Sequence, residues 1–365
     1  MRSKIRESFL TFSTILITFL SGGGMASAIE APVTLSSNSD SPQTITIQRS
    51  LTGLKNQVTN TFTYGIEEAS DNPATVTGLP DDIYVRFDHA FAFDGYAAAN
   101  NYLDLSGVGF TEVGDYTFIL SETGSTNASA YPIDSTKYHI YVSVRNELDT
   151  NGAPTGKLIP TLSLQAKKNG TGDKGDVLFT SEAVLTYAKI TKNVEGNLAR
   201  RDQYFKFRVT VDGASDGDVF TISGQDESIE YNGETIQTLS QFTVGNDNYI
   251  YLKHGQTALI GVNGDEMEIP VGATFTVVED LYDGYTAWIN DVETNTNNGT
   301  VLETANISTP ESLSDNNQVN FVNKKEASVL TGIVTKGWPF MVLAGICIAG
   351  IFAIRKVASA KVNEN

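Results

Sequence analysis

The sequence predicts an all-β protein, with two tandem β-sandwich domains between an N-terminal signal peptide and a C-terminal transmembrane helix. Three observations predict this class. Short stretches of alternating apolar and polar residues follow one another, separated by turns rich in Gly, Asn and Asp. The alternation restarts near residue 187 in a second series that resembles the first. Helical periodicity is confined to the two ends of the chain.

The N-terminus predicts export. Basic residues near the start precede an apolar run over residues 9–20, and small residues end this region at Ala28. This is the three-part pattern of a secretory signal peptide, so residues 1–28 are predicted to be removed. The apolar run is too short to stay in a membrane as an anchor. Residues 29–42, rich in Ser, Asn, Asp and Pro, are predicted to form a linker.

The C-terminus predicts a membrane anchor. Residues 338–354 are apolar, Trp338 stands at their start, and a basic tail over residues 355–365 follows. A segment of this length can span a bilayer, with the Trp at the interface and the basic tail in the cytoplasm. The sequence therefore predicts that the helix contacts the membrane and that the body of the protein lies outside the cell.

The composition excludes some classes of function and some sources of stability. The formal net charge of -18 excludes a general nucleic-acid binder, which needs a basic face for phosphates. The only cysteine, Cys347, lies in the predicted membrane helix, so the exported part has no disulfide and needs another source of stability. Neither a metal nor a cofactor is expected, because the scattered histidines His89, His139 and His254 lack ligand spacing. The acidic stretch 212–218 lacks the ligand order of a calcium loop and is expected to be a solvated turn.

The alternating stretches divide into a first domain over residues 43–187 and a second over 188–326. The first series consists of Ile45 and Ile47; Phe62, Tyr64 and Ile66; Tyr84 and Phe87; Tyr116, Phe118 and Leu120; Ile140, Val142 and Val144; Leu162 and Leu164; Val177 and Phe179. The second series consists of Ile190, Lys192 and Val194; Phe205, Phe207, Val209 and Val211; Val219 and Thr221; Tyr249 and Tyr251; Phe275 and Val277; Val319 and Phe321. Such series are typical of antiparallel, immunoglobulin-like sandwiches.

Three strands of the second domain each carry one polar residue on an apolar face. Side chains two residues apart in a strand share a face. By this rule Lys192, Glu279 and Asn323 all point into the core. Buried polar groups need partners, so we expect the three to meet. Burial lowers the pKa of a lysine and raises that of a glutamic acid, which favours a neutral amine beside a protonated carboxyl.

The three groups can meet in two ways. In one, the neutral Lys192 amine attacks the Asn323 carboxamide while Glu279 polarises the carbonyl and transfers protons. Ammonia leaves and an intramolecular isopeptide bond remains. In the other, Lys192 and Glu279 form an uncrosslinked buried ion pair that hydrogen-bonds to Asn323. The alternation is compatible with both.

Five blocks within residues 185–326 carry a family resemblance. In chain order they are ITKNVEGN, FKFRVTV, YLKHGQTALI, FTVVEDLYDGYT and VNFVNKKE. In content and order they resemble the streptococcal pilin isopeptide linkage domain of Gram-positive pilins. The resemblance implies a pilin-type sandwich in which a lysine of the first strand bonds to an asparagine of the last, with a glutamate as catalyst. These roles fall on Lys192, Asn323 and Glu279.

The first domain resembles the same family more loosely. Its block GDYTFILSE matches the glutamate strand and supplies Glu122. The lysine position in IQRSLTG is Arg49, and the asparagine position in LFTSE is Ser181. Arginine stays protonated and serine has no carboxamide, so this site is predicted to be vestigial. We expect an ion pair between Arg49 and Glu122, joined by the Ser181 hydroxyl.

Residues 327–337 resemble a sorting signal. Gram-positive surface proteins carry an LPxTG-like motif before the hydrophobic segment, and the matching stretch here is SVLTG, with Leu330 in place of proline. The resemblance implies that a sortase would cleave between Thr331 and Gly332 and join the chain to peptidoglycan or to another subunit. Lys174, in a turn rich in Gly and Asp, is a candidate acceptor lysine, the alternative being an ordinary exposed lysine.

Together these features predict a structural cell-surface stalk or pilin-like subunit of a Gram-positive bacterium. It would not be an enzyme beyond crosslinking itself, and its partners would be a sortase and other pilus or surface subunits. The alternative is a surface adhesin whose first domain binds a host or matrix ligand. A cluster of exposed aromatic residues on that domain would favour the alternative.

Overall fold

The computed structural model describes residues 32–35, 43–90, 94–162, 166–171, 174–294, 300–304 and 317–327. The predicted signal peptide, transmembrane helix and cytoplasmic tail, together with Thr331 and Gly332, lie outside the described residues. No helix within the described ranges is long and apolar enough to cross a membrane. The regular structure of these ranges is almost entirely strand, which confirms the predicted all-β class.

The first half of the chain contributes twelve strands. Their bounds are β1 Val33–Thr34, β2 Thr44–Thr52, β3 Val58–Glu68, β4 Ile83–Ala90, β5 Ala97–Asp104, β6 Gly109–Phe110, β7 Gly114–Ser125, β8 Lys137–Leu148, β9 Pro154–Leu162, β10 Ala166–Lys168, β11 Lys174–Gly175 and β12 Val177–Glu182. A seven-stranded sheet in the order β11-β10-β8-β7-β3-β4, with β9 also on β8, faces a three-stranded sheet in the order β12-β2-β5. Large aromatic side chains, including Phe62, Phe118 and Phe179, fill the space between these sheets.

The second half contributes the remaining described strands. Their bounds are β13 Leu185–Thr186, β14 Ala188–Glu195, β15 Phe205–Asp212, β16 Val219–Ser223, β17 Ser228–Tyr231, β18 Glu234–Gln237, β19 Gln241–Thr243, β20 Asn248–Leu252, β21 Thr257–Ile260, β22 Val262–Asn263, β23 Glu266–Met267, β24 Ile269–Pro270, β25 Thr274–Glu279, β26 Thr286–Ile289, β27 Val292–Thr294, β28 Thr300–Glu303 and β29 Gln318–Lys324. A seven-stranded sheet (β19-β16-β21-β14-β29-β26-β27) faces a four-stranded sheet (β20-β15-β25-β28) across a second core.

The alternation gave no single face for β4, where the named residues Tyr84 and Phe87 lie on opposite faces, and it gave the wrong face for β16. In β4, Val85 and Phe87 are buried, whereas Tyr84 is 43% exposed. In β16, Phe220 is fully buried and Val219 is 37% exposed. Apolar residues occupy both phases of these strands, so a period of two cannot tell which phase faces the core.

The first and last long strands of each domain are parallel neighbours, β2 with β12 and β14 with β29. All other described pairings are antiparallel. Just past the end of β14, Gly196 has a φ of +100°, and a Cβ there would collide with the carbonyl oxygen of Lys325. Only glycine therefore allows the end of β29 to lie this close to the end of β14.

Polar contacts join the two domains. The Asn56 carboxamide bonds to both backbone groups of Val219, donating to the carbonyl at 3.1 Å and accepting from the amide at 3.2 Å. The backbone amide of Gln57 donates to Asp218 Oδ1 at 3.2 Å. Asp218 is only 2% exposed, so the expectation of a solvated turn over residues 212–218 is wrong for this residue. Packing of the first domain against the turn covers its carboxylate.

Candidate functional site

The core of the second domain brings together the three polar residues singled out in the sequence. Lys192 Nζ lies 2.6 Å from Glu279 Oε1, and Asn323 Nδ2 donates to the same oxygen at 2.9 Å. The Lys192 side chain is fully buried and that of Glu279 is 7% exposed. Asn323 is 2% exposed.

Strand register explains this meeting. In the parallel pair of β14 and β29, Lys192 lies opposite Phe321, and Val194 lies opposite Asn323. Lys192 and Asn323 are thus two residues apart along neighbouring strands and project from the same face. Glu279 comes from the facing sheet, where β25 pairs it with Phe207 of β15.

Burial sets the electrostatics of the site. It lowers the pKa of Lys192 to about 8 and also raises the pKa of Glu279, although the attraction between the two groups opposes both shifts. Both shifts move the pair toward a neutral amine and a protonated carboxyl. The amine also lies over two aromatic rings, 4.3 Å from the centroid of Phe205 and 5.9 Å from that of Phe207.

The carboxamide of Asn323 is held on one side only. Its nitrogen contacts Glu279, whereas Oδ1 accepts no hydrogen bond from the described residues. The sequence led us to expect Glu279 at the carbonyl oxygen, but the structure places it at the nitrogen. A carboxylate oxygen is an acceptor and therefore selects the amide group that donates. This contact puts Glu279 beside the atom that would leave as ammonia.

The first domain contains a counterpart in the same register. β2 and β12 pair Arg49 with Phe179 and Leu51 with Ser181, the same offset as in the second domain. Glu122 again faces from the other sheet, paired with Tyr64 of β3. Arg49, Glu122 and Ser181 therefore occupy the positions of Lys192, Glu279 and Asn323.

The guanidinium of Arg49 is the centre of this counterpart. Its Nε lies 3.3 Å from Glu122 Oε2, and one terminal nitrogen donates to Ser181 Oγ at 2.7 Å. The other terminal nitrogen donates to the backbone carbonyl of Ser50 at 2.7 Å. The Phe62 ring lies 4.1 Å from Arg49 Cζ, as Phe205 lies over Lys192. Burial raises the pKa of Glu122 to about 7.

The aromatic neighbours of both sites were not identified from the sequence. Phe205 and Phe207 lie on one face of β15, and Phe62 and Tyr64 lie on one face of β3. Their alternation was visible as a core signal. Only the packing of the two sheets places these rings against the buried cations, and periodicity carries no information about the facing sheet.

The remaining predicted site residues lie elsewhere. Lys174 begins β11, at the edge of the seven-stranded sheet, in register with Lys167. Thr331 and Gly332 fall outside the described residues. Among the residues that the structure describes, no group of three or more His, Cys, Asp or Glu side chains is arranged to hold a metal ion.

Comparison with known proteins supports the fold. A family model described as a domain of unknown function, DUF7601, matches residues 188–325, which form the second sandwich. The fold is similar to that of a major pilin from Streptococcus pyogenes, at 20% identity and a TM-score of 0.50 over 78% of this chain and 99% of that one. The major pilin protein T-13 of the same species gives 19% identity and a TM-score of 0.50 over 78% and 97% of the two chains. A search of the curated proteins finds no match.

At these identities the likeness concerns the fold alone. The pilin structures are covered almost completely, and the likeness extends over 78% of this chain. The chain thus has a pilin-like, all-β tandem fold. Its second domain buries a lysine, a glutamate and an asparagine in mutual contact.

Proposed function

We propose that this protein is a pilin-like structural subunit or stalk on the surface of a Gram-positive bacterium, and that its second domain crosslinks itself. The observation that carries the proposal is the contact of Lys192 and Asn323 with one buried carboxyl, that of Glu279. The pilin-like fold supports the structural role. The protein acts on itself alone and turns over no substrate.

The crosslinking reaction begins with a proton transfer. The Lys192 ammonium gives a proton to Glu279 across their 2.6 Å contact, which leaves a neutral amine and a carboxylic acid. Nζ then attacks Cγ of Asn323, forming the Nζ–Cγ bond. Glu279 gives its proton to Nδ2 as the Cγ–Nδ2 bond breaks, and it takes one proton from Nζ. The products are an amide and one ammonia, and the carboxyl is protonated again.

The bond would stabilise the second domain and carry tension across it. Closing the loop between residues 192 and 323 contributes about 4 to 5 kcal/mol in a chain-entropy model, by analogy with a disulfide. Because β14 and β29 are the first and last long strands of this domain, force applied to the chain passes through the bond. The crosslink would replace the disulfides that the exported part lacks.

In the first domain the same position holds a non-covalent contact. Arg49 stays protonated and Ser181 offers no acyl carbon, so the network around Glu122 stays non-covalent. The chain would therefore have one crosslinked domain and one that can unfold under load.

Surface attachment completes the proposal. The signal peptide would direct export, and the C-terminal helix would hold the chain in the membrane. A sortase that accepts SVLTG would cleave between Thr331 and Gly332 and transfer the chain to peptidoglycan or to a lysine of another subunit. Lys174 is the candidate acceptor, because β11 is an edge strand.

The intact mass of the purified ectodomain, residues 29–327, tests the crosslink. We expect a mass one ammonia below that of the unmodified sequence. Glu279→Ala should restore the unmodified mass, because the proton carrier is lost. Lys192→Arg should restore it too, because a guanidinium cannot supply a neutral amine. An unmodified mass for the wild-type protein would refute self-crosslinking.

A second candidate function is ligand binding by the first domain. Three tyrosines on or beside its edge strands β4 and β5 favour it, namely Tyr84, Tyr96 and Tyr102, which are 43%, 48% and 59% exposed. Exposed tyrosines are enriched at binding surfaces. Arrays of glycans and matrix proteins, probed with the ectodomain, would test this function. Binding that survives deletion of residues 43–184 would contradict it.

A further inference from the structure

On the side of β14 that faces β21, strand pairing ends beside Lys192 and a turn takes over. β21 pairs with β14 only as far as Thr191, which lies opposite Thr257. Past this point the turn that joins β20 to β21 replaces the strand. The backbone amide of Lys192 donates to the carbonyl of Gln256 at 3.0 Å, and the amide of Gly255 donates to the carbonyl of Lys192 at 2.8 Å.

One residue of this turn reaches further along β14. The backbone amide of Val194 donates to Nδ1 of His254 at 3.0 Å. The imidazole is the acceptor in this contact, through its Nδ1 lone pair. Val194 is fully buried and lies opposite Asn323 in the parallel pair. The imidazole thus holds the strand where it fixes the offset between the amine and the carboxamide.

In the described part of the first domain, strand pairing takes the place of a side chain at the corresponding position. There β5 continues along β2 as far as Leu51, which pairs with Ala97. Leu51 is the counterpart of Val194, because it lies opposite Ser181. In the domain where no crosslink is expected, the backbone ladder therefore reaches this position. In the second domain, where Lys192 and Asn323 meet, the His254 side chain replaces the ladder.

We propose that His254 is a positioning residue for formation of the Lys192–Asn323 amide. The proposal rests on the self-crosslinking reaction. Without the imidazole acceptor, the buried amide of Val194 would lack a partner, and β14 would shift to find one. Such a shift moves the Lys192 amine relative to Cγ of Asn323. A displacement of about 1 Å can slow a reaction between held groups by about a hundredfold.

The rate of ammonia loss tests the role. The ectodomain is made by cell-free synthesis, samples are quenched in acid at intervals, and the half-time of the mass change is read from intact mass. His254→Ala is expected to lengthen this half-time by about tenfold or more. His254→Asn places an amide oxygen close to the position of Nδ1 and is expected to restore a half-time close to that of the wild type.

A neighbouring variant separates positioning from general stability. Lys253 lies in the same turn, and its Nζ forms a part-exposed ion pair with Asp226 at 2.8 Å. Lys253→Met alters the turn but leaves the acceptor for Val194 in place, so its half-time should match that of the wild type. If His254→Ala fails to fold, His254→Gln, whose amide lies one methylene further out, replaces it and should be slow.

Each outcome has one meaning. A wild-type ectodomain that loses no ammonia refutes the proposed function itself. If the wild type crosslinks and His254→Ala crosslinks equally fast, the positioning role is wrong. If His254→Ala and His254→Asn are equally slow, or if Lys253→Met is as slow as His254→Ala, the hydrogen-bond explanation is wrong.

Discussion

Two carboxyls, Glu122 and Glu279, face a buried cation from corresponding positions of the two domains. Burial raises the pKa of both, and in each case the facing cation opposes the shift. One difference lies in the cation. An ammonium such as that of Lys192 can lose its proton and become a nucleophile, whereas the guanidinium of Arg49 does not. The other is the Ser181 hydroxyl, which has no carbonyl carbon to attack, so the first site can only pair where the second can react.

The raised pKa of Glu122 makes the stability of the first domain depend on pH. Its folded-state pKa of about 7 lies above the ordinary value of 4.5, so the folded state holds this proton more tightly. The resulting stabilisation is complete below about pH 4.5 and is lost as the pH rises through about 7. Ionised Glu122 is therefore the less favourable form in the core, even beside Arg49.

Glu122→Gln should remove this part of the pH dependence. Between pH 4 and pH 8, the free energy of unfolding of the wild type should fall relative to that of the variant by about 2 to 3 kcal/mol. Denaturant titrations, with hydrogen exchange on β2 and β7 to identify the first domain, measure the difference. Glu234→Gln, on the exposed hairpin β17–β18, is the control and should leave the pH profile unchanged. Parallel profiles for the wild type and Glu122→Gln would contradict the prediction.

Among the elements, the parallel contact of β14 with β29 does most to create the site. It depends on Gly196, where the chain turns away with a left-handed φ and no room for a side chain. The turn allows Lys325 to continue alongside Glu195, as the hydrogen bond from the amide of Lys325 to the carbonyl of Glu195 shows. The strand ends are therefore fixed by a residue that takes no part in the chemistry.

Gly196→Ala should weaken the second domain. We expect the free energy of unfolding to fall by more than about 2 kcal/mol, because backbone strain adds to a collision with the carbonyl of Lys325. Gly233→Ala is a matched control. Gly233 also has a positive φ, but a Cβ there meets nothing within 4 Å, so it should lose only about 1 kcal/mol. Equal losses in thermal or denaturant unfolding would show that the close approach of the strands is unimportant.

The strands differ in how well the alternating pattern predicts their buried face. The alternation gave the face of β14, β25 and β29 because apolar residues predominate on one face of each strand. It could not give the face of β4 or β16, because both faces carry apolar or aromatic residues and Tyr84 and Val219 lie on the exposed one. His254 was assigned to no site, because a turn residue has no periodicity and its contact with Val194 depends on tertiary packing.

For the whole molecule, the contacts at the junction determine how rigidly the two sandwiches are connected. The Asn56 carboxamide hydrogen-bonds to the backbone carbonyl and amide of Val219, as a neighbouring strand would. The Asp218 carboxylate accepts a hydrogen bond from a backbone amide of the first domain. The connecting strand β13 pairs with β24 of the second domain, while Val184 just before it donates to the carbonyl of Ala130 in the first. Directional bonds of this kind fix an angle between the domains as well as a distance.

Asn56→Ala should loosen this junction, because two hydrogen bonds to the start of β16 are lost. The exported part has no cysteine, so one spin label can be placed in each domain and the distance distribution measured by pulsed electron paramagnetic resonance. We expect a broader distribution for Asn56→Ala. The control is Lys55→Ala, which removes an exposed ion pair with Glu266 and should change little. An unchanged distribution for Asn56→Ala would show that other contacts hold the domains.

Alternation of side chains is a local property of a strand, so the sequence was enough to predict the all-β class, the tandem sandwiches and the inward faces of Lys192, Glu279 and Asn323. Which faces meet follows only from the packing of the sheets. The tertiary structure put Glu279 at the amide nitrogen, aromatic rings over both buried cations, His254 against β14 and Asp218 inside the junction. Each of these contacts joins residues far apart in the chain, and their distance depends on how sheets and domains pack rather than on any repeat in the sequence.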